Sequence, residues 1–501
     1  MNVILFTDLS DSPIFIRVQG AYSIASHLRN NGYTVKVIDN QAWLWENHGK
    51  KLTEYVEGLI DSDTIFVGFS STFSRYFDTG FQGIGAEDKS SDVISYLDQM
   101  IYRIHLMHPH VKVVLGGQGA QTYKFYQYFE DRIDCWIRGM GEDSVLQFVR
   151  NEEAGIENPP VMEDRESPIF DFHNQNNIFH VEDDILDHEV FPLAISRGCR
   201  FKCKFCTFSL LGRLPSEKYI RSEDSIYNEL KYNYDNFSTT SYMLTDDTFN
   251  ETTEKIERVI RAVDRVGVQM NFWAYVRIEL LHKYPEQIKL LSQLGLKSCF
   301  FGLESLHDLS AKSIGKGLGR DKTLETLESV KNELGEDSVL HGSFIIGLPH
   351  ETEETANEWT DLVIKDKTPL DTASFNRLGL TPDYIMKSGD TSRIFFSEFE
   401  LNKKKYGYID TGDGGWKNQH WTDKTAHVYA TKIKNRFMKE RPAFTHHMVA
   451  QNSMSMMNLK VVNPELSWSQ MHGMDKQTLE SNVISSREKM LNLYMERLFN
   501  E

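Results

Sequence analysis

Apolar and polar positions along the chain fall into two successive runs of short strands alternating with amphipathic helices. In the first run, residues 1–150, the segments 3–6, 33–38, 64–69, 111–115 and 135–138 are brief apolar stretches that read as strands. Between them Ala21, Ile24, Ala25 and Leu28 recur at helical spacing, as do Ile94, Leu97, Ile101 and Ile104, and Gly32 suits the end of the first helix. This order predicts an α/β domain with a doubly wound parallel sheet. Residues 151–189 lose the pattern: Pro159-Pro160, the acidic 163–166 and the polar 171–177 read as a linker.

From 190 to 385 the alternation returns. Strands are expected at 191–195, 241–244, 269–275, 298–302, 339–346 and 373–379, with helices starting near Ser222, Thr252, Pro285, Asp321 and Thr352. Six such units predict a partial (β/α)6 barrel of the TIM type, whose chemistry would lie at the carboxyl ends of the strands. Beyond that, 386–501 reads as a mostly α accessory region with helices at 425–439 and 477–499. Its aromatic and methionine residues (Trp416, Trp421, Phe444, Met454, Met456, Met457) fit core packing.

Composition narrows the function classes. The chain has 501 residues, a formal net charge of −17 and 40% hydrophobic residues. That charge argues against bulk nucleic acid as a partner. No stretch approaches the roughly 18 uninterrupted apolar residues of a membrane span. The first residues read as a strand rather than a signal peptide, and few cysteines argue for a reducing, cytoplasmic setting.

The chemistry concentrates where the second run begins. Three of the five cysteines stand as Cys199-x3-Cys203-x2-Cys206, directly after the 191–195 strand. Three close thiols suit a soft metal or a cluster. A structural zinc site or an electron-carrying four-iron cluster wants a fourth protein ligand. Three thiolates on a four-iron cluster leave one iron open. Arg197, Arg200, Lys202, Lys204 and Arg213 make the surroundings basic, either as a solvated loop or as charge that offsets a thiolate-bound cluster. Cys135 and Cys299 fall inside expected strands and read as small buried side chains, and the pair His446 and His447 as structural.

Other candidates sit at expected strand ends. Asp246 and Asp247 either orient a substrate or cofactor or cap the helix near Thr252. Arg277 and Glu304 are either ligand contacts or a structural ion pair in the barrel mouth. In the first domain, Ser71 and Thr72, Gly116-Gly117-Gln118 and Gly139 stand at successive strand ends, where glycine lets a backbone approach a flat or phosphorylated ligand closely.

Together these residues resemble the radical S-adenosylmethionine enzymes. The cysteine spacing with Phe205 before the last thiol, 244–249, Phe301-Gly-Leu-Glu304-Ser305 and Phe344-Ile-Ile-Gly347-Leu-Pro349 are similar to family motifs in the same order. Residues 1–150 resemble the Rossmann-like B12-binding domain that precedes this barrel in one large subfamily, through 20–28, 67–70, Gly116-Gly117 and 138–142. The chain departs from that domain in having no Asp-x-His-x-x-Gly, hence no sequence signal for a histidine below cobalt.

The resemblance implies a [4Fe-4S] cluster on Cys199, Cys203 and Cys206, with the open iron binding S-adenosylmethionine. Reductive cleavage would then give a 5′-deoxyadenosyl radical. It further implies S-adenosylmethionine contacts from Phe205, Asp247, Arg277, Glu304 and Gly347. Cobalamin contacts would come from Ser71, Thr72, Gly116, Gly117, Gln118 and Gly139. The implied activity is cobalamin-dependent methylation of an unactivated carbon, in a small molecule or peptide, with an electron donor such as flavodoxin or ferredoxin. Two alternatives are a cobalamin-free or non-methylating radical enzyme and a non-catalytic cobalamin- or metal-binding module. No histidine or fourth cysteine follows within the next twenty residues after Cys206, against the zinc form of the latter.

Overall fold

The computed structural model describes residues 1–9, 15–72, 90–117, 131–164, 169–206, 219–365, 367–383, 396–441 and, apart from 460, 464, 468, 469 and 472, residues 458–499. The chain divides into two compact units. One comprises Met1–Leu186, Gly389–Ile394 and Met490–Glu501, and the other Asp187–Ser388 and Phe395–Lys489.

The first unit is built on a six-stranded sheet, β1 (Val3–Phe6), β2 (Val35–Ile38), β3 (Phe66–Ser70), β4 (Lys112–Gly116), β5 (Cys135–Gly139) and β6 (Val161–Asp164). Every pairing is parallel and the order is β2-β1-β3-β4-β5-β6. The order reverses between β1 and β3, the switch point at which doubly wound sheets open a ligand crevice. The helix Gln19–Asn30 buries Ala21, Tyr22, Ala25 and Leu28, and Gly32 at φ 93° lets the chain turn into β2.

The stretch 151–189, read from sequence as a linker, is largely structured. It supplies β6 and two short 3-10 turns, Phe172–Asn174 and Val181–Asp183, and buries Ile178, Phe179, Ile185 and Leu186. Two of its acidic residues are buried and paired, Asp183 with Arg29 at 2.5 Å and Asp184 with Lys36 at 2.6 Å. Single-turn elements have no periodicity to read, and charges paired across the fold look in sequence like a solvated run. The end of the helix Lys476–Phe499 also belongs to this unit from Met490 onward. Buried Tyr494 lies 4.7 Å under the Arg17 guanidinium, and its hydroxyl oxygen accepts the Asp39 backbone N–H at 2.9 Å.

The second unit holds β7 (Phe191–Leu193), β8 (Ser241–Leu244), β9 (Asn271–Val276), β10 (Leu296–Glu304), β11 (Val339–Ile346) and β12 (Thr372–Arg377). Each strand pairs in parallel with the next in sequence, with helices between, giving the expected open six-stranded barrel. The helix Glu223–Phe237 is capped by Ser222 and the helix Thr253–Val266 by Thr252, whose Oγ1 accepts from Lys255 N at 3.2 Å. Ile256, Val259, Ile260 and Val263 form the buried face of the latter, and Gly267 at φ 79° ends it. Across β9, β10 and β11, Tyr275, Phe300 and His341 stand in register, with ring centroids 4.8 and 4.5 Å apart. His341 ends the row on Thr372 Oγ1 at 2.5 Å and Ser374 Oγ at 3.1 Å. Cys135 and Cys299 are buried in β5 and β10, and burial pushes the Cys135 thiol up to about 12. Among the described residues no helix is long and apolar enough to cross a membrane. His446, His447, Phe444, Met454, Met456 and Met457 lie outside the described residues.

Tyr494 ties the last turns of the chain to the first unit, so its loss is expected to loosen that unit. Tyr494→Phe removes the acceptor of a buried N–H and is expected to cost about 1–3 kcal/mol. Tyr494→Ala, which also empties the space under Arg17, is expected to cost about 3–5 kcal/mol. Hydrogen exchange of the β1 and β2 amides measures both, and unchanged protection in Tyr494→Ala would show that the helix end is not part of the unit.

Candidate metal and ligand centre

The cysteine loop leaves β7 at Leu193 and is fixed before its first thiol. Asp246, just beyond β8, accepts the backbone N–H groups of Ile195 and Ser196 through Oδ1, both at 2.8 Å. Its other oxygen lies 2.8 Å from Lys255 Nζ. That ammonium also donates to Ser196 Oγ at 2.6 Å, Thr248 O at 3.2 Å and Glu251 Oε1 at 3.0 Å. Lys255 is fully enclosed. Burial alone would lower its pKa, but Asp246 and Glu251 outweigh it and raise the pKa, so the side chain stays a cation. Asp246 is thus a loop anchor. Neither Asp246 nor Asp247 caps the next helix, because Thr252 does so itself. On the far side of the loop's start, Arg221 N donates to Ile195 O at 2.9 Å, and the buried Arg221 pairs with Glu229 at 2.5 Å.

Gly198, at φ 81°, turns the chain into the thiols. Cys199 is buried, with Sγ 3.3 Å from Thr248 Oγ1, and burial pushes its thiol up. Cys203 and Cys206 are half-buried, and Cys206 N donates to Cys203 O at 3.0 Å. Between them Lys204 N reaches Ile314 O at 3.1 Å while Lys204 O accepts from Phe399 N at 2.9 Å, so the loop is held from both sides. Arg200 and Lys202 are exposed, and Lys204 lies over the Tyr406 ring; Arg213 lies outside the described residues. The cation brought to a cysteine sulfur comes instead from the end of β9: Arg277 Nη1 donates to Cys203 Sγ at 3.1 Å.

Arg277 follows β9 directly. Asn250 clamps its main chain, accepting Arg277 N at 2.8 Å and donating to Arg277 O at 3.1 Å. Its guanidinium sits 4.3 Å over Phe201 and 3.3 Å from Glu279. Arg277 and Glu304 are therefore not a structural ion pair with each other. Glu304 ends β10 at φ 65°, a left-handed conformation that non-glycine residues seldom adopt. Its carboxylate folds back over Gly302, where a Cβ would come within 2.5 Å of Oε1, and pairs with Lys316 Nζ at 3.3 Å. Burial raises the Glu304 pKa and Lys316 pulls it back. Asp247 lines the same mouth. Its surface is open to solvent. Desolvation and then Asp246 push its carboxyl up to about 7, and its charge is felt by the Tyr275 hydroxyl. Phe205 is half-buried on the loop.

Gly347 has another task. At φ 96° its missing Cβ leaves room for Trp416, whose Cη2 would lie 2.5 Å away. Its carbonyl accepts from Tyr408 Oη at 2.9 Å and Asn418 Nδ2 at 3.1 Å. Its N–H donates to Glu351 Oε2 at 2.8 Å, and Trp359 Nε1 donates to the other oxygen at 3.3 Å. The glycine is thus accounted for by packing against the segment after β12.

In the first unit, Ser71 and Thr72 meet Gly116 and Gly117 at the carboxyl edge of β3 and β4. Ser71 Oγ donates to Gly116 O at 2.6 Å, and a Cβ on Gly117, at φ 89°, would lie 2.5 Å from Thr72 Oγ1. Gly139, exposed and at φ 86°, ends neighbouring β5. Gln118 lies outside the described residues.

Sequence reasoning passed over Lys255, Thr248, Glu279 and Lys316. Lys255 had a signal: it shares the helical spacing of Val259 and Ala262, so a lysine fell on a buried face. Lys316 stands between Gly315 and Gly317, a loop with no periodicity. Three thiols on one loop, with a guanidinium aimed at one sulfur and a hydroxyl near another, suit a thiolate-bound iron–sulfur cluster, whose sulfurs accept such hydrogen bonds. Among the described residues no three His, Cys, Asp or Glu side chains converge as a single-ion site.

Two outcomes follow from the buried charges. Lys255→Met leaves Asp246 and Glu251 buried without their cation and is expected to destabilise the second unit by about 3–5 kcal/mol in urea denaturation, with lower iron loading. Retention of both would show that the loop is held elsewhere. Burial pushes the Glu351 carboxyl up to about 7, against the hydrogen bonds from Gly347 and Trp359. An unfolded glutamate titrates near about 4.3. The group therefore adds stability at low pH that is lost as pH rises and is gone above about 7. Denaturation across that window should show wild type losing stability relative to the non-ionising Glu351→Gln. A constant difference would rule the shift out.

Residues 193–363 match the model of the Radical SAM superfamily. An uncharacterised methyltransferase of Pyrococcus horikoshii is 23% identical over 369 residues, 71% of this chain and 74% of that protein. The ribosomal protein uS12 methylthiotransferase RimO of Carboxydothermus hydrogenoformans is 25% identical over 60% of this chain and 65% of its own. Among solved structures, the radical S-adenosylmethionine methyltransferase TsrM of Kitasatospora setae, with cobalamin and a [4Fe-4S] cluster bound, superposes with a TM-score of 0.60 at 14% identity, covering 98% of this chain and all of that one. The cobalamin-dependent S-adenosylmethionine radical enzyme OxsB gives 0.59 at 13% identity, over 97% of this chain and 71% of its own. These likenesses support the fold. The family match falls on the barrel that carries the cysteine loop, and a domain of this family implies a [4Fe-4S] cluster and S-adenosylmethionine. Residues 193–363 of this chain are thus a radical S-adenosylmethionine domain.

Proposed function

We propose that this enzyme methylates an unactivated carbon of a small molecule or peptide and depends on cobalamin. The observation that carries the reading is the meeting of Ser71, Thr72, Gly116 and Gly117 at the carboxyl edge of a sheet ordered β2-β1-β3-β4-β5-β6, in a chain that also holds the cysteine loop. Turns without bulk at a doubly wound sheet's carboxyl edge suit a broad, flat ligand. The names of the relatives, several of them methyltransferases, support the same outcome.

When bound, the cluster and S-adenosylmethionine supply radical chemistry and a corrinoid supplies a methyl carrier. The chain's own contribution is placement. Cys199, Cys203 and Cys206 would hold the cluster as thiolates, each giving up its proton. Arg277, Lys316, Glu304 and Asp247 line the strand ends with both signs of charge, as an amino-carboxylate ligand requires. Phe205 offers an apolar surface on the same loop, and Gly347 holds the adjoining turn. In the first unit, Thr72 and the exposed Gly139 lie at the carboxyl edge of the sheet. An external one-electron donor of the flavodoxin or ferredoxin kind, in a reducing cytoplasm, completes the requirements.

Anaerobic reconstitution with hydroxocobalamin tests the reading. Wild type is expected to show a four-iron absorption, retain corrinoid through gel filtration, and form 5′-deoxyadenosine from S-adenosylmethionine under reduction. Cys203→Ala should lower 5′-deoxyadenosine formation at least about a thousandfold while leaving corrinoid retention intact. A cluster without retained corrinoid would favour the cobalamin-free alternative, and 5′-deoxyadenosine formation unchanged in Cys203→Ala would overturn the assignment of the loop.

A further inference from the structure

We propose that Arg277 is a positioning residue that sets the reduction potential of the cluster held by Cys199, Cys203 and Cys206, acting through its hydrogen bond to the Cys203 sulfur. The inference rests on the radical S-adenosylmethionine reading of the loop and adds to it the group that tunes the loop's redox behaviour.

Arg277 is held in place at every level. Asn250 fixes its main chain through both N–H and carbonyl. The guanidinium stacks over Phe201 at 4.3 Å, pairs with Glu279 at 3.3 Å and donates through Nη2 to Gly315 O at 3.3 Å. What remains of the fork points Nη1 at Cys203 Sγ, 3.1 Å away. A pair made only for stability would be complete with Glu279. A neutral thiol is a weak acceptor, and a guanidinium gains most from facing it when the sulfur is a thiolate. The side chain is only 12% exposed, so its charge acts with little screening from water. Arg200 and Lys202, exposed on the loop, are solvated and act weakly by comparison.

Reduction of the loaded loop takes one electron from an external low-potential one-electron donor and no proton, so the centre becomes more negative by one charge. A fixed cation on a ligand sulfur favours that more negative state and raises the potential. It does so without blocking the open iron, because Arg277 contacts a sulfur.

The test is an anaerobic redox titration of the reconstituted full-length protein, followed by the electron paramagnetic resonance of the reduced cluster. Iron and sulfide contents are measured alongside. Arg277→Gln is expected to keep its iron and sulfide but become harder to reduce by about tenfold in the reduction equilibrium, about 59 mV for one electron. Arg277→Lys, which keeps the charge and loses the planar fork, should fall between it and wild type. If Arg277→Gln binds too little iron to titrate, Arg277→Lys decides: a midpoint below wild type supports the proposal and an equal one overturns it. An Arg277→Gln midpoint equal to wild type at full iron content also overturns it, whatever happens to stability. A wild-type protein that assembles no four-iron cluster fails earlier, at the family reading, and is told apart by its iron content.

Discussion

The ion pair between Lys255 and Asp246 is the constraint on which the centre depends. Both side chains are fully buried, so their charges are tolerable only together and only if fully hydrogen-bonded. The surroundings meet that demand. Asp246 accepts the N–H groups of Ile195 and Ser196 with one oxygen and faces the ammonium with the other, and Lys255 donates its three protons to Ser196, Glu251 and Thr248. A hydrophobic pair of the same volume could be as stable, but it would not read the backbone of residues 195 and 196. What the charges provide is register: the chain entering the cysteine loop has one position at which the N–H groups of residues 195 and 196 and the Ser196 hydroxyl all meet their partners.

From that anchor the rest of the centre is built outward in steps. Thr248, whose carbonyl holds Lys255, places its hydroxyl on Cys199. Asn250, two residues on, clamps Arg277, and Arg277 reaches Cys203. The segment Asp246–Asn250 therefore touches the loop before its first thiol, at its first thiol and, through Arg277, at its second. One short stretch after β8 couples strand ends that are far apart in sequence, so the thiols need not be ordered by their own loop alone.

Most of the architecture was legible because burial imposes periodicity. Five strands of the first sheet and six of the second were visible as short apolar runs, and some of the helices between them as 3.6-residue spacings, though not the helix Gln41–Leu59. The cysteine loop was legible from spacing and position. Illegible were the features set by partners distant in sequence. Strand β6 and the paired acids of 151–189 have no local pattern, since Asp183 and Asp184 are explained only by Arg29 and Lys36. Arg277 and Glu304 looked alike as charged residues at strand ends. One turned out to face a sulfur, the other to fold back onto Lys316. Gly347 stood out in the sequence only as part of a motif, and the space its missing Cβ leaves is taken by Trp416.

Glu304 shows how backbone and charge combine at such a place. A left-handed glutamate costs about 1–3 kcal/mol and persists only when its surroundings over-determine it. Here Gly302 supplies the space, since any side chain there would strike the carboxylate, and Lys316 supplies the charge. Because Lys316 also hydrogen-bonds the Gly302 carbonyl, the three residues form one closed contact at the end of β10. The carboxylate is thereby presented at the strand end with its conformation already paid for by folding. Arg277 on the neighbouring strand is fixed in the same way, by Asn250, Phe201 and Glu279, before it reaches the Cys203 sulfur.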